Sequence, residues 1–431
     1  GVKTFSYIIP DDLKDKIQIG QAILVPFGRQ GYVNAFCVGF SNYLPDNIKA
    51  KKITKILDEK PLFSIEYLKL LEWVANYYCC DLVTVLNSAI PLRLIEKAAK
   101  TELTIEFLSD ANATKRQMQI LDILKNSGKM RLSDFEKLAK TTRATIKKLE
   151  AMNCIKLSQE ELYRNPLDIL NIDKKEELSK LSEEQQKVYE GITKKINNKP
   201  QTILLHGVTA SGKTEVYFKL IKDTIDNGKN VLFLAPEIAL ASQLTKRLAK
   251  KFGTEDVAIW HSSISEGERY DVWQRLYKNE IKILAGARSA VFAPLQNIGL
   301  IIIDEEHESA YKQTTPTPRY DAKTIAHKLA QFHNCSLILG SATPDISTYF
   351  RAVNENNLFE LKKRYNNAKI PPVTVINMQE YGRAAYKNLI SKPLQTEITQ
   401  TLEKGQQVIL LINRRGFSTF TQCKSCGYVI E

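Results

Sequence analysis

Gly207-Val208-Thr209-Ala210-Ser211-Gly212-Lys213-Thr214 decides how this chain is read. The octapeptide fits GxxxxGK[ST]. It follows the apolar run Thr202–Leu205 and opens an amphipathic stretch, the strand–loop–helix setting that the pattern requires. Glycines let backbone N–H groups curl around phosphate oxygens, and the N-terminus of the next helix adds its positive end. In such a loop Lys213 reaches the β- and γ-phosphates and the Thr214 hydroxyl holds Mg²⁺. ATP and Mg²⁺ are the expected ligands, with Gly207 to Thr214 as the cradle.

Downstream, Leu300-Ile301-Ile302-Ile303 runs into Asp304-Glu305-Glu306-His307. A carboxylate that ends a buried parallel strand lands in the crevice where open α/β sheets bind ligands. Asp304 is thus the expected Mg²⁺ partner of Thr214, through water, and Glu305 the base that orients the attacking water. Two acids ending a strand can also be helix-cap chemistry, but the phosphate loop upstream favours nucleotide hydrolysis.

From Leu181 onward, short apolar runs alternate with amphipathic helical spacing: Thr202–Leu205, Val231–Leu234, Val257–Ile259, Lys282–Leu284, Leu300–Ile303 and Ser336–Leu339. Near-continuous apolar strands between helices mean a parallel sheet covered on both faces, an α/β fold of the P-loop NTPase kind. Gln407–Ile412 is expected to be a further strand, far enough on to belong to a second sheet.

The front of the chain reads differently. Phe5–Ile9, Ala22–Val25 and Val33–Val38 are β-type runs punctuated by Pro10, Gly20, Pro26, Gly28 and Gly31, and Ile65–Tyr78 has helical apolar spacing. Stripes at Ile120/Leu121/Leu124, Phe135/Leu138 and Ile146/Leu149/Met152 precede a strand pair at Cys154–Leu157 and Glu161–Arg164, which is the winged-helix plan. Arg143, Lys147 and Lys148 would lie on the exposed side of its third helix, where they contact phosphates or simply solvate the face. The expected divisions are a β-rich domain over 1–100, a winged helix over 101–165, a linker over 166–180 and a nucleotide-binding lobe over 181–365. The start of a second lobe follows over 366–422, then 423–431.

Composition narrows the partners. Among 431 residues, 61 Lys+Arg against 48 Asp+Glu leave a formal charge of +13, which suits nucleic acid before membrane. No run approaches the ~20 apolar residues of a membrane span, and no secretory signal is legible. Seven scattered cysteines form no disulfide framework, so a cytoplasmic location is expected. The first residue is Gly1, which suggests a clipped N-terminus.

The further motifs resemble superfamily-2 helicases. Gln185, in Leu181-Ser182-Glu183-Glu184-Gln185, stands where such enzymes place an adenine-reading glutamine. Ala235–Leu240 and Gly286–Ala290, with Arg288, resemble strand-binding motifs. Gly340-Ser341-Ala342-Thr343-Pro344 resembles the motif in which Ser341 and Thr343 couple hydrolysis to the DNA groove. The likeness narrows to the PriA family of bacterial primosomal replication-restart helicases on several stretches. These are Thr4–Tyr7, Val25–Arg29, Trp73–Tyr78, Pro236–Leu240, Trp260–Ser262, Arg288–Phe292, Asp304–His307, Tyr311-Lys312-Gln313, Pro318-Arg319-Tyr320 and Asn413–Gly416.

That resemblance implies a RecA-like helicase lobe behind a domain that binds the 3′ end of a nascent strand. It implies 3′→5′ unwinding at stalled or abandoned forks, forked and single-stranded DNA as ligands, and other primosome proteins and single-strand-binding protein as partners. It also implies a cytoplasmic, nucleoid-associated bacterial setting. The stretch from Tyr311 to Tyr320 mixes aromatic and cationic side chains, so bases are expected to stack on Tyr311 and Tyr320 while Lys312 and Arg319 meet phosphates. Cys423 and Cys426 form a Cys-x-x-Cys knuckle, half of a Zn²⁺ site that further paired cysteines complete in this family.

Ser6 and Asp321 depart from the family's usual Asp and His, and Ala210 from its usual Gly; Ala210 is tolerable if its φ stays negative. With the second lobe's arginine finger and the remaining zinc ligands outside the sequence, this chain by itself is expected to bind ATP and forked DNA without unwinding it. An RNA helicase or other superfamily-2 nucleic-acid translocase and, for this chain taken alone, a non-catalytic fork-binding module are the competing readings.

Overall fold

The computed structural model describes all residues except 1–3, 29–30, 44–49, 59, 91–100, 111–113, 129, 162–166, 168–175, 365–370, 378–389, 412–420, 423–428 and 431. The chain forms two compact units, Gly1–Ala368 and Lys369–Glu431.

The first unit opens with a three-stranded antiparallel sheet, β1 (Ala22–Pro26) between β2 (Tyr32–Phe36) and β3 (Lys55–Ile56). The strand expected at Phe5–Ile9 is reduced to one bridge, Ile8 to Lys52. Helices α1 (Ile65–Tyr77), capped by the Ser64 hydroxyl, and α2 (Leu82–Ala89) follow. Their apolar faces, from Leu62 to Ile90, share one core with Trp273, Leu284 and Phe292 further along the chain. Two hydrogen bonds seal that contact: Trp273 Nε1 donates to Leu62 O at 2.6 Å, and the Tyr67 hydroxyl donates to Phe292 O.

Next, β4 (Thr101–Phe107), α3 (Lys115–Ser127), β5 (Met130–Arg131), α4 (Leu132–Leu138), α5 (Arg143–Ala151) and β6 (Ile155–Glu161) build a small three-helix domain. Leu121, Leu124, Phe135, Ile146 and Leu149 converge in its core, whereas Leu138 of the expected Phe135/Leu138 stripe, at the end of the short α4, is exposed. The strand pairing differs from expectation. β6 runs on through Glu161 and pairs along its length with β4, in the order β5-β4-β6, and residues 162–164 of the expected partner lie outside the described residues. Thr101–Phe107 offers a full-length antiparallel partner, which a short local hairpin cannot match. Arg143, Lys147 and Lys148 are exposed on α5, with Arg143 paired to Glu136 at 3.3 Å.

The lobe then alternates helix and strand: α6 (Glu183–Asn198), β7 (Thr202–Gly207), α7 (Lys213–Asp226), β8 (Asn230–Leu234), α8 (Ile238–Phe252), β9 (Val257–Trp260), α9 (Glu266–Tyr277), β10 (Ile283–Gly286), β11 (Ile298–Ile303), α10 (Ala322–Phe332), β12 (Ser336–Ser341), α11 (Ile346–Asn354) and β13 (Leu358–Leu361). All seven strands are parallel, in the order β13-β7-β12-β11-β8-β10-β9. The six expected strands are present, and β13 is an addition at the edge beside β7. This order sets the ends of β7, β12 and β11 side by side, so the phosphate loop, Ser341 and Asp304 share one edge.

The second unit contains α12 (Lys392–Glu403), Pro393 in its first turn, and a short antiparallel pair, Thr421–Gln422 with Val429–Ile430. The strand expected at Gln407–Ile412 is not formed over 407–411. Ile409 and Leu411 are 94% and 92% exposed. An apolar run becomes a strand only when a neighbouring strand takes its hydrogen bonds, and none among the described residues does so here.

Candidate nucleotide site and strand-sensing loop

The phosphate loop turns between β7 and α7 through two left-handed residues, Ala210 (φ 61°) and Gly212 (φ 81°). The condition for a comfortable Ala210 is therefore not met: an L side chain sits where glycine is at home, at a cost of about 1–2 kcal/mol. Gly207 is needed for close approach, since a Cβ there would lie 2.6 Å from Ser211 Oγ and 2.9 Å from Lys213 Cγ. α7 begins on Gly212, which has no side chain to cap it; Glu215 N turns back to Gly212 O at 3.0 Å, and the amides ahead of it are placed to serve an anion. Ser211 Oγ is buried without a hydrogen-bond partner among the described residues, and Lys213 is buried with its ammonium on Gly207 O at 2.9 Å. An orphaned hydroxyl, uncapped amides and a buried lysine in one loop fit a polyphosphate.

The acids lie at the end of β11. Burial, reinforced by the charge of Glu305, raises the Asp304 carboxyl above its ordinary value, opposed by Lys213 and by a hydrogen bond from Tyr217. A buried carboxylate penalised in this way gains from a divalent cation, so the chemistry of Asp304 suits the Mg²⁺ expected with ATP. Glu305 takes φ 46°, a left-handed conformation for a residue with a full side chain, and lies 4.0 Å from Lys213 Nζ and 3.7 Å from His307 Nδ1. Such backbone strain concentrates at functional corners.

Gln185 contacts the loop directly. As the third residue of a capping box its Oε1 accepts from Ser182 N at 2.9 Å, while Nε2 donates to Ser211 O at 2.9 Å. One N–H and one lone pair of its amide thus serve the helix cap and the phosphate loop, and each atom keeps a second hydrogen-bonding position.

Three residues that sequence reasoning gave no role complete the edge. His307 Nδ1 meets Ser341 Oγ at 2.8 Å and Nε2 meets Thr343 Oγ1 at 3.3 Å, tying the acids to the motif after β12. Glu306, wholly buried, accepts from Lys323 Nζ, Asp345 N and Thr348 Oγ1. Lys323 also meets Asp345, so β11, α10 and α11 are locked together behind the site. Tyr217 donates to Asp304. His307 stands beside the acids in sequence; nothing in the sequence singled out Tyr217.

The loop after the acids departs most from expectation. Tyr311 and Tyr320 are 1% and 2% exposed, so their rings are not open stacking platforms. The Tyr311 hydroxyl donates to Asp304 O at 2.6 Å and Leu234 O at 3.1 Å, and the Tyr320 ring packs edge-on against Phe292 at 4.8 Å. Leu234 O already accepts from Asp304 N at 3.0 Å and has a second lone pair to offer, so a buried phenol placed over these strand ends finds its partner there instead of in water. Lys312 and Arg319 are exposed. Arg288 faces the loop: it donates to Ala310 O, Lys312 O and Gln313 Oε1 at 3.0–3.3 Å and lies over the Tyr320 ring. Cys423 and Cys426 lie outside the described residues, as do Arg414 and Arg415.

A seven-stranded parallel sheet with a phosphate loop after β7 and an acidic pair ending β11 defines a P-loop NTPase lobe of the helicase type. The family model described as type III restriction enzyme, res subunit, matches residues 178–346, and the PriA 3′DNA-binding domain (3′BD) matches residues 2–91. Replication restart protein PriA of Bacillus subtilis is 33% identical over 99% of this chain and 62% of its own length. PriA of Synechocystis is 32% identical over 99% and 61%, and that of Haemophilus influenzae 35% over 100% and 59%. The chain is similar to PriA proteins over nearly all of its own residues and spans about three-fifths of the length of these relatives.

Proposed function

We propose that this chain supplies the nucleotide-binding lobe and the DNA-end-binding front of an ATP-dependent, 3′→5′ DNA helicase that acts at stalled or abandoned forks in replication restart. What supports it above all is the union, in one chain, of a phosphate loop facing an acidic corner with a domain matched by a 3′DNA-binding model.

In this reading Gly207 to Thr214 hold the triphosphate, Thr214 and Asp304 hold Mg²⁺, and Glu305 orients the attacking water. Mg²⁺ would neutralise charge on the phosphates. Gln185 links the adenine side to Ser211, and His307 carries the state of the acids to Ser341 and Thr343. Arg288 sets the loop that presents Lys312 and Arg319 to the strand. Cys423 and Cys426 would give two thiolates to a Zn²⁺ site. Forked and single-stranded DNA, primosome proteins and single-strand-binding protein are the proposed partners, in the bacterial cytoplasm. The divisions near residues 100, 165, 180, 365 and 422 belong to the same reading.

ATP hydrolysis by the longer protein and by this chain, each with forked DNA, RNA or neither, tests it. Weak basal turnover raised by forked DNA in the longer protein is expected. Equal stimulation by RNA would favour a general translocase, and fork binding without any turnover would favour a non-catalytic module.

A further inference from the structure

The hydroxyl of Tyr217 occupies a position that the proposed chemistry has not yet used. Tyr217 lies one helical turn beyond Lys213 on α7 and is completely buried. Its ring stands edge-on to Phe233 of β8 at 5.4 Å, which fixes where the phenol points. The hydroxyl donates to Asp304 Oδ1 at 3.1 Å. A Cβ on Gly340 would overlap that hydroxyl and lie 3.2 Å from the same carboxylate oxygen. The hydroxyl therefore sits in a slot made by three elements: α7 under the phosphate loop, the end of β11, and the end of β12 where Gly340 leads into Ser341. Burial and the neighbouring Asp304 charge push the phenol well above its ordinary value, so it stays a neutral donor.

A carboxylate has two oxygens, and only one can be turned to a cation's water shell while the other is tethered. We infer that Tyr217 is a positioning residue for the magnesium carboxylate: its hydroxyl holds Asp304 Oδ1 and leaves the second oxygen for the metal–nucleotide side. Without the hydroxyl, Asp304 keeps the Glu305 backbone N–H but loses its side-chain donor inside a buried site, and Mg²⁺ would meet a carboxylate held less firmly. Gly340 is then glycine for a stated reason: any side chain would displace the tether. The inference rests on the ATP-hydrolysis reading.

The test is Tyr217→Phe in the full chain, read by the affinity of a fluorescent ATP analogue in EDTA and across a Mg²⁺ titration, with a thermal melt to establish folding. The expected result is unchanged affinity in EDTA and a Mg²⁺ midpoint raised about tenfold, the loss of one hydrogen bond to a charged group. A purely structural role would lower the melting temperature and leave the midpoint where it is, and a folded variant with the wild-type midpoint overturns the inference. Tyr217→Met, which keeps bulk without a donor, repeats the measurement if the first variant folds poorly. Failure of the wild-type chain to bind the Mg²⁺–nucleotide at all would instead overturn the ATP reading itself.

Discussion

The phosphate loop, 207–214, and the loop after the acids, 309–320, lie at the same edge of one sheet and were both read from sequence, with different outcomes. In the first, the residues do what their spacing requires: Gly207 permits close approach, Gly212 turns left-handed, and Lys213 points back into the loop. In the second, the two tyrosines expected to form a stacking surface are core residues, and Arg288 serves the loop's own carbonyls. A site built from backbone amides follows from where glycines stand. A site built from side chains depends on which way each one points, and packing decides that.

Lys213→Ala bears on the first loop with the largest effect. Turnover in the longer protein should fall by about 10²–10³-fold, the scale for removing one transition-state donor, while fork affinity stays within a few-fold. Loss of fork binding by a folded variant would show that the loop also organises the DNA-binding front.

The contrast itself is at stake in Tyr311→Phe. Removing the hydroxyl leaves the carbonyls of Leu234 and Asp304 without that donor, so stability should drop by about 1–3 kcal/mol in a denaturant melt. Lower single-strand affinity with unchanged stability would mean that the ring leaves the core to stack on a base, and the difference between the loops would vanish.

Ala210→Gly sharpens the backbone side of the comparison. Relief of a left-handed alanine should raise stability by about 1 kcal/mol, read as a higher melting temperature with nucleotide affinity intact. A loss of stability would show that the alanine methyl packs favourably enough to outweigh its φ.

Smallest is the effect expected for Lys312→Ala and Arg319→Ala, the exposed cations of the second loop. Each should flatten the slope of log affinity against log salt by about 0.7 for single-stranded DNA. Unchanged slopes in both would leave these side chains as solvated surface.

By itself the sequence determined the parallel sheet, the phosphate loop and the acidic pair. Apolar runs of strand length between amphipathic helices have one burial solution, and glycine spacing fixes a backbone. The capping box of Ser182 and Gln185, and the reach of the same Gln185 to Ser211, came from the structure and not from the resemblance that singled out Gln185. Tertiary structure alone decided the rest. Pairing of Thr101–Phe107 with Ile155–Glu161 rests on hydrogen bonds between segments remote in sequence. The exposed run 407–411 has strand composition and, among the described residues, no strand to join. Tyr217 meets Asp304, and Tyr311 bridges two strand ends, because the order β12-β11-β8 makes neighbours of residues that the chain keeps far apart. Local propensity and periodicity act over a few residues, whereas the orientation of a buried side chain is set by whatever the fold packs around it.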